Sequence, residues 1–349
     1  MRQDGSGKME RRLPAEWEAQ DGVLMTWPHE RTDWAPVLDA VEPVFLDIAT
    51  NISRFERVII TVPERDSLEE RLDDAGAQLD NIHIFYIESD DTWARDFGPI
   101  TVYEATRPIL LDFGFNGWGL KFPAFHDNQI TRRLHRAGAF GGAAIETEGL
   151  ILEGGSIESD GEGTVLTTSE CLLQANRNPH LGKEEIEQRL FRLLGAQRIL
   201  WINSGYLAGD DTDSHIDTLA RFCPGDAIAY ASCEDDRDEH CEALKAMEEE
   251  LRKFRTPEGN PYRLFPLPLP SPVFDEKGDR IPATYANFLV INNAVLVPVY
   301  DDSRDQEALE QLGRAFPGRE IKGIGCRPLL LQHGSLHCVT MQIPQGVLI

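Results

Sequence analysis

Strand-like apolar runs and helical patterns alternate along the whole 349-residue chain, and a distinctive side chain falls near a strand end at nearly even intervals. Trp27, Asp96, Glu153, His215, Tyr285 and Cys338 are separated by 69, 57, 62, 70 and 53 residues. That spacing predicts similar strand-and-helix modules, each sending one group to a common centre. No sequence self-similarity accompanies it. Strands outnumber helices and no composition shift marks a boundary, so the expectation is an α/β protein. Residues 1–12 read as a flexible leader and 13–349 as a single domain.

The local patterns fill in this outline. Residues 22–28 read as a strand ending at a proline loop, and 39–52 as a helix with Val41, Val44, Phe45, Ile48 and Ile52 on one face. Residues 57–62 and 81–87 are strand-like, with a polar helix at 66–75 between them. Helical patterns return at 183–194, 238–254 and 305–315, and a hairpin is expected around Asn292-Asn293. Polar loops on a strand scaffold commonly carry function. Two such stretches are 90–99 and 209–217, and residues 176–179 read as a turn. In residues 150–158, Glu153 lies inside an apolar run beside Gly154 and Gly155. An unpaired buried carboxylate is costly, so Glu153 calls for a partner.

The net charge of −25 argues against nucleic acid or an anionic membrane as partners and favours a cationic one. A salt-adapted surface fits the same number. The first twenty residues hold no apolar run, so neither a secretory signal nor a membrane span is expected. Six cysteines without a C-x-x-C pair fit a reduced, cytoplasmic protein.

Cys338, flanked by His333 and His337, is the candidate nucleophile, because a thiolate is made by nearby positive charge. Taken with His215, Asp96, Glu153 and Asp217 it forms a thiol–imidazole–carboxylate set. Two chemistries remain open from the residues alone. One is a metal site such as that of a zinc hydrolase. The other is covalent attack on a guanidinium carbon, with carboxylates pairing to its planar N–H groups. Gly334-Ser335 argues against a helix that would put His333 and His337 on one face. His215 and Asp217 would share one side of an extended strand.

Four segments in order, 93–99 (WARDFGP), 152–156 (LEGGS), 211–217 (DTDSHID) and 334–338 (GSLHC), with 176–179 (NRNP) and 285–288 (YANF) between them, resemble the bacterial agmatine deiminase family. It is also called the Porphyromonas-type peptidylarginine deiminase family, of the guanidino-group-modifying superfamily. The resemblance runs from about Leu13 to the end of the chain. It implies a fivefold pseudosymmetric α/β propeller around a central active site. It also implies that Cys338 attacks the guanidinium carbon and that His215 protonates departing ammonia and activates water. Asp96 and Asp217 would hold the guanidinium nitrogens, while Glu153 pairs with the guanidinium or orients His215. Trp93 would line the substrate channel, and Asp211 is the candidate for a distal ammonium. His337 reads as structural, and His333 as a replacement for a glycine found in some members.

The implied partner is a small cationic guanidino substrate, with no metal or organic cofactor; the family often forms homo-oligomers. No Arg or Lys in the sequence is clearly aimed at the site to meet a substrate carboxylate, and Arg95 would point away if its stretch is extended. Agmatine is therefore the expected substrate. Arginine or peptidylarginine is the alternative within the class, and a non-catalytic polyamine- or guanidine-binding protein the alternative outside it.

Overall fold

The computed structural model describes residues 11–65 and 67–348. Its strands form five units that share one connectivity. In each, a first strand pairs antiparallel with a second, and a helix then leads to a third strand parallel to the second. Gln20–Thr26 pairs antiparallel with Thr340–Pro344 and parallel with Arg57–Val62, and Leu38–Ser53 is the crossover helix. Ile100–Glu104, Arg107–Gly114 and Ala144–Ile151 repeat the pattern around the helix Ile130–Arg136. Ile157–Ser159, Thr164–Thr168 and Arg198–Ile202 do so around Lys183–Leu194. Ala220–Cys223, Ala227–Ala231 and Arg263–Leu267 follow, around Cys241–Lys253. Leu289–Ile291, Ala294–Val299 and Glu320–Gly325 complete the set, around Asp305–Ala315. The first unit carries a further parallel strand, Ile82–Tyr86, and takes its antiparallel strand from the far end of the chain. A short ribbon, Val273–Phe274 with Arg280–Ile281, lies outside the five.

Parallel strands joined by a helix bury both sheet faces, which is why their sequences read as continuous apolar runs. Val23, Leu24, Met25, Val58, Ile59 and Ile60 are all 0–1% exposed. The crossover helices are one-sided. Lys183–Leu194 buries Ile186, Leu190, Leu193 and Leu194 and turns charged residues outward. Gly195 ends it at φ +70°, a conformation glycine adopts without cost. A β-carbon there would stand 1.9 Å from the carbonyl oxygen of Arg11, so the helix end packs directly on the chain's first strand.

That strand takes in the last two residues of the expected leader. Arg11 and Arg12 pair antiparallel with Tyr103 and Glu104. The Arg11 guanidinium holds Glu104 at 3.1 Å and Glu146 at 2.7 Å. Residues 1–10 lie outside the described residues, as does Asp66, where the second helix was expected to begin; that helix is observed at Leu68–Asp74. Two residues of the even spacing also serve the scaffold. Trp27 packs edge-on against Phe45 and donates to Glu42. Tyr285 donates to Asp305 at 2.7 Å.

Candidate active site

Each of the five units delivers a polar side chain to one place from the backbone that enters its first strand. Asp96 precedes Ile100–Glu104, Glu153 precedes Ile157–Ser159, His215 and Asp217 precede Ala220–Cys223, Asn287 precedes Leu289–Ile291, and Cys338 precedes Thr340–Pro344. The entries are tight turns rather than extended chain. Asp96 sits in the single helical turn Ala94–Phe97, Glu153 caps the 3-10 turn Gly154–Ser156, and His215 caps the 3-10 turn Ile216–Thr218. The expected extended run through Glu153 and the expected strand through His215 and Asp217 are therefore both broken by turns. The turns still aim the side chains inward.

Gly155 marks the point of convergence. A β-carbon on it would lie 2.6 Å from His215 Nδ1, 2.9 Å from Asp96 Oδ1 and 3.0 Å from Asp217 Oδ2. Its amide donates to Asp96 Oδ1 at 3.0 Å, and Trp118 Nε1 donates to Asp96 Oδ2 at 2.9 Å. His215 Nδ1 stands 3.6 Å from Asp96 Oδ1, and neither ring nitrogen has a hydrogen-bond partner. The Cys338 thiol faces Asn287 Oδ1 at 3.4 Å, and the Cys338 amide donates to the same oxygen at 3.3 Å. Asp217 accepts from His337 Nδ1 at 2.7 Å through Oδ2, leaving Oδ1 unpartnered.

Burial acts against charge everywhere in this cluster, and the neighbours decide the outcome. It opposes the cation on His215, yet Asp96 and Cys171, followed by Glu153, raise that imidazole to about 10. Burial pushes the Asp96 carboxyl up to about 6, with His215 opposing and Asp217 adding to the shift. Burial pushes the Cys338 thiol well above its ordinary value, and the carboxylates of Asp217 and Asp96 push it further. Burial pushes Asp217 up, but the His337 hydrogen bond together with the positive charge of His337, His215 and Arg221 outweighs it and leaves the carboxyl below its ordinary value.

Asp96 and Cys338 border a cavity of about 190 Å³ that is also lined by Trp93, Trp118, Phe122 and Gly334, with Asp33, Asp91, Asp210 and Asp211 on its wall; His215, Asp217 and Glu153 lie behind that wall and do not line it. No lysine or arginine lines it among the described residues. Burial, with Asp33 adding to it, raises Asp91 to about 7. Of the loop carboxylates, Asp210 is taken by Thr212 and Ser214, and Asp213 by Arg177 and Lys121. Asp211 faces the cavity near His333, with 3.6 Å between His333 Nδ1 and Asp211 Oδ2. His333 itself holds φ +64° at the end of the turn Arg327–Gln332, a left-handed position that favours glycine.

Glu153 has an internal partner that the sequence did not disclose. Arg177 Nε lies 2.9 and 3.0 Å from its two oxygens, while Arg177 Nη1 reaches Asp213 at 2.6 Å and Nη2 the Thr212 carbonyl at 2.8 Å. Removing one member of a fully buried pair strands the other charge, at a cost of about 3–5 kcal/mol. Arg177→Met is expected to lose stability in that range, measured by urea unfolding; a loss under about 1 kcal/mol would mean that Glu153 finds another partner. Cys171 was also missed. Its sulfur, a His215 ring nitrogen and a Glu153 oxygen lie within 4.8 Å of one another. Those atoms have the types that bind zinc, but both Glu153 oxygens already face a guanidinium. A second such group, Glu16, Glu158 and His337, encloses Arg221, which likewise supplies its cation from within. Arg95 points away from the cavity as expected, though from a helical turn; it meets Glu16 and Gln342 instead.

A buried thiol, an imidazole raised by its acidic neighbours and paired carboxylates thus lie at or behind the wall of a cavity rich in carboxylates. The family model of the Porphyromonas-type peptidyl-arginine deiminases matches residues 12–344, and the chain belongs to that family. The agmatine deiminase of Pseudomonas aeruginosa strain LESB58 is 34% identical over 358 residues, covering 95% of each chain. A Cys→Ser variant of C. jejuni agmatine deiminase with substrate bound superposes with a TM-score of 0.91 at 38% identity, covering 99% of this chain and 100% of that one. A Porphyromonas gingivalis structure assigned provisionally as an arginine deiminase gives 0.92 at 51% identity, covering 97% and 100%.

Proposed function

We propose that this protein hydrolyses agmatine to N-carbamoylputrescine and ammonia through a covalent adduct on Cys338. The observation that carries this reading is the charge layout of the cavity. Carboxylates Asp96 and Asp217 stand beside the thiol, and further carboxylates Asp91 and Asp211 line the cavity, with no lysine or arginine among its described lining residues to receive a substrate carboxylate. Agmatine has one guanidinium, one ammonium and no acid group. Its relatives named agmatine deiminase add support at 34 and 38% identity.

In this reading Asp96 and the free Oδ1 of Asp217 pair with the guanidinium nitrogens, and the ligand's charge offsets theirs. Thiolate attack on the guanidinium carbon forms a C–S bond. The tetrahedral adduct then expels ammonia, which takes its proton from His215, and leaves an S-alkylthiouronium. Neutral His215 next accepts a proton from water. The resulting hydroxide adds to the carbon, and as the C–S bond breaks the adduct's hydroxyl proton passes to the released ammonia or to bulk water, which gives the ureido product and restores the thiolate beside protonated His215. General acid–base action of this kind contributes typically 10²–10⁴-fold. Glu153 acts on His215 through its nearby negative charge. Trp93 forms a wall, and Asp211, with Asp91, receives the distal ammonium. No metal or organic cofactor takes part. The five like units are arranged as a fivefold pseudosymmetric propeller, and the protein works in the cytoplasm. No helix among the described residues is long and apolar enough to cross a membrane.

The test is to incubate the protein, with excess chelator, separately with agmatine, arginine and an arginyl peptide, and to follow ammonia and the product mass. Agmatine is expected to turn over with the highest kcat/KM. Turnover of arginine or the peptide in its place would overturn the substrate assignment, and loss of activity in chelator would overturn the metal-free mechanism.

A further inference from the structure

His337 was expected to be a packing residue beside the nucleophile. Its imidazole is instead held between two carboxylates from distant parts of the chain. Nδ1 meets Asp217 Oδ2 at 2.7 Å, and Nε2 meets Glu16 Oε1 at 2.8 Å. Arg221 Nη2 also lies 3.0 Å from Nε2. Glu16 belongs to the segment ahead of the first core strand, 321 residues from His337 in sequence. It is the hub of this layer. It pairs with Arg221 and with Arg95, the latter at 3.2 Å, and accepts from Gln342 Nε2 at 2.8 Å. Arg221 is fixed on its other side by Glu158 and by the Phe288 carbonyl.

The groups at the two nitrogens favour a hydrogen on Nδ1. A protonated ring donates to Glu16 at Nε2 and to Asp217 at Nδ1. A neutral ring that accepts from Arg221 at Nε2 carries its hydrogen on Nδ1, facing Asp217. A neutral ring with its hydrogen on Nε2 would donate to Glu16 but set two acceptors, Nδ1 and Asp217 Oδ2, 2.7 Å apart, which is unfavourable. In the first two states Asp217 receives the Nδ1 hydrogen through Oδ2, and its Oδ1 has no hydrogen-bond partner. The arrangement has the logic of an orienting carboxylate behind a histidine, which fixes tautomer and ring plane.

We propose that Glu16 is a positioning residue for substrate binding: acting through Arg221 and His337, it locks Asp217 with one oxygen presented to the guanidinium. This rests on the reading of the cavity as a guanidinium site. Glu16 lies outside all of the motifs that disclosed that site, and it touches none of the reacting atoms.

The test is a double-mutant cycle on agmatine affinity, measured by calorimetry in a Cys338→Ser background so that no turnover intervenes. Glu16→Gln keeps the shape of the side chain and loses its charge. His337→Asn keeps a donor at the Nδ1 position and loses the reach to Glu16. Each is expected to weaken binding about tenfold, and the pair together also about tenfold rather than a hundredfold, because the two lie on one path. With Cys338 restored, Glu16→Gln is expected to raise KM more than it lowers kcat, and Glu16→Ala to do worse than Glu16→Gln. Independent, multiplying effects in the cycle would overturn the proposal, as would a Glu16→Gln protein with lowered Tm but unchanged affinity. If the parent binds agmatine yet the protein with Cys338 releases no ammonia from it, the proposed reaction fails while the cycle still reads. No agmatine binding by the parent would overturn both.

Discussion

Cys338→Ser is expected to abolish ammonia release while leaving a folded protein that binds agmatine. Removing a nucleophile that works as a unit with its acid–base partner costs on the order of 10⁶ in kcat. The serine hydroxyl is isosteric enough to keep the 3.3 Å amide contact to Asn287, which belongs to the backbone. Asp96 and Asp217, the groups that pair with guanidinium in the proposed reaction, remain in place. Binding and turnover should therefore separate cleanly. A serine variant that kept turnover within tenfold of the parent would defeat the covalent route.

The same residue carries a pH expectation. In the free protein burial, then Asp217 and Asp96, hold the thiol well above its ordinary value. A thiol so placed is protonated at neutral pH, and its alkylation follows the thiolate fraction. Iodoacetamide should therefore modify Cys338 slowly near pH 7 and faster only in strongly alkaline buffer. The bound substrate reverses those conditions, because its positive charge offsets the two carboxylates and favours the thiolate next to it. The nucleophile is thus at its most reactive when the substrate is present. Fast alkylation of free Cys338 at pH 7 would show instead that the empty site already holds a thiolate.

The residues that converge were largely legible, and the reasons differ from one to the next. Asp96, His215 and Asp217 could be read because they fall in polar loops on a strand scaffold, Cys338 because histidines flank it, and all four because segments 93–99, 211–217 and 334–338 together resemble one family. The broken strand at Glu153 was less visible, since Leu152 and Ile157 on either side look continuous with it; the two glycines form a 3-10 turn where an extended chain was expected. Arg177 was read only as part of a turn. Its role depends on Glu153 and Asp213, 24 and 36 residues away, and no local spacing reports such pairing. Glu16, Arg221 and Cys171 were invisible for the same reason. Trp27 and Tyr285 fitted the even spacing but not the site, because the spacing marks the units and cannot say which residue of each entry turn faces the centre. In the fifth unit that residue is Asn287, two positions after Tyr285.

Gly155→Ala is the second change expected to have a large effect, and it removes no functional group at all. Gly155 does not hold a positive φ, so alanine suits its backbone and the fold should persist. What alanine lacks is room. The new methyl carbon would stand 2.6 Å from His215 Nδ1, 2.9 Å from Asp96 Oδ1 and 3.0 Å from Asp217 Oδ2, all of them polar atoms on fully buried or nearly buried side chains. Two of them cannot retreat freely: Asp96 is held by Trp118 at 2.9 Å and Asp217 by His337 at 2.7 Å. His215 has no such tie and would yield first. Displacing a catalytic group by about 1 Å costs roughly 10²-fold in rate, so kcat is expected to fall by about that factor with the protein still folded. Gly313→Ala supplies the contrast. It lies in the helix Asp305–Ala315 with its nearest would-be neighbour at 3.7 Å, an ordinary contact. Alanine there should leave kcat unchanged and add about 0.5–1 kcal/mol of stability through helix propensity. A Gly155→Ala enzyme with kcat within twofold of the parent would mean that the three side chains do not crowd this glycine, and the site's geometry would have to be redrawn around a looser centre.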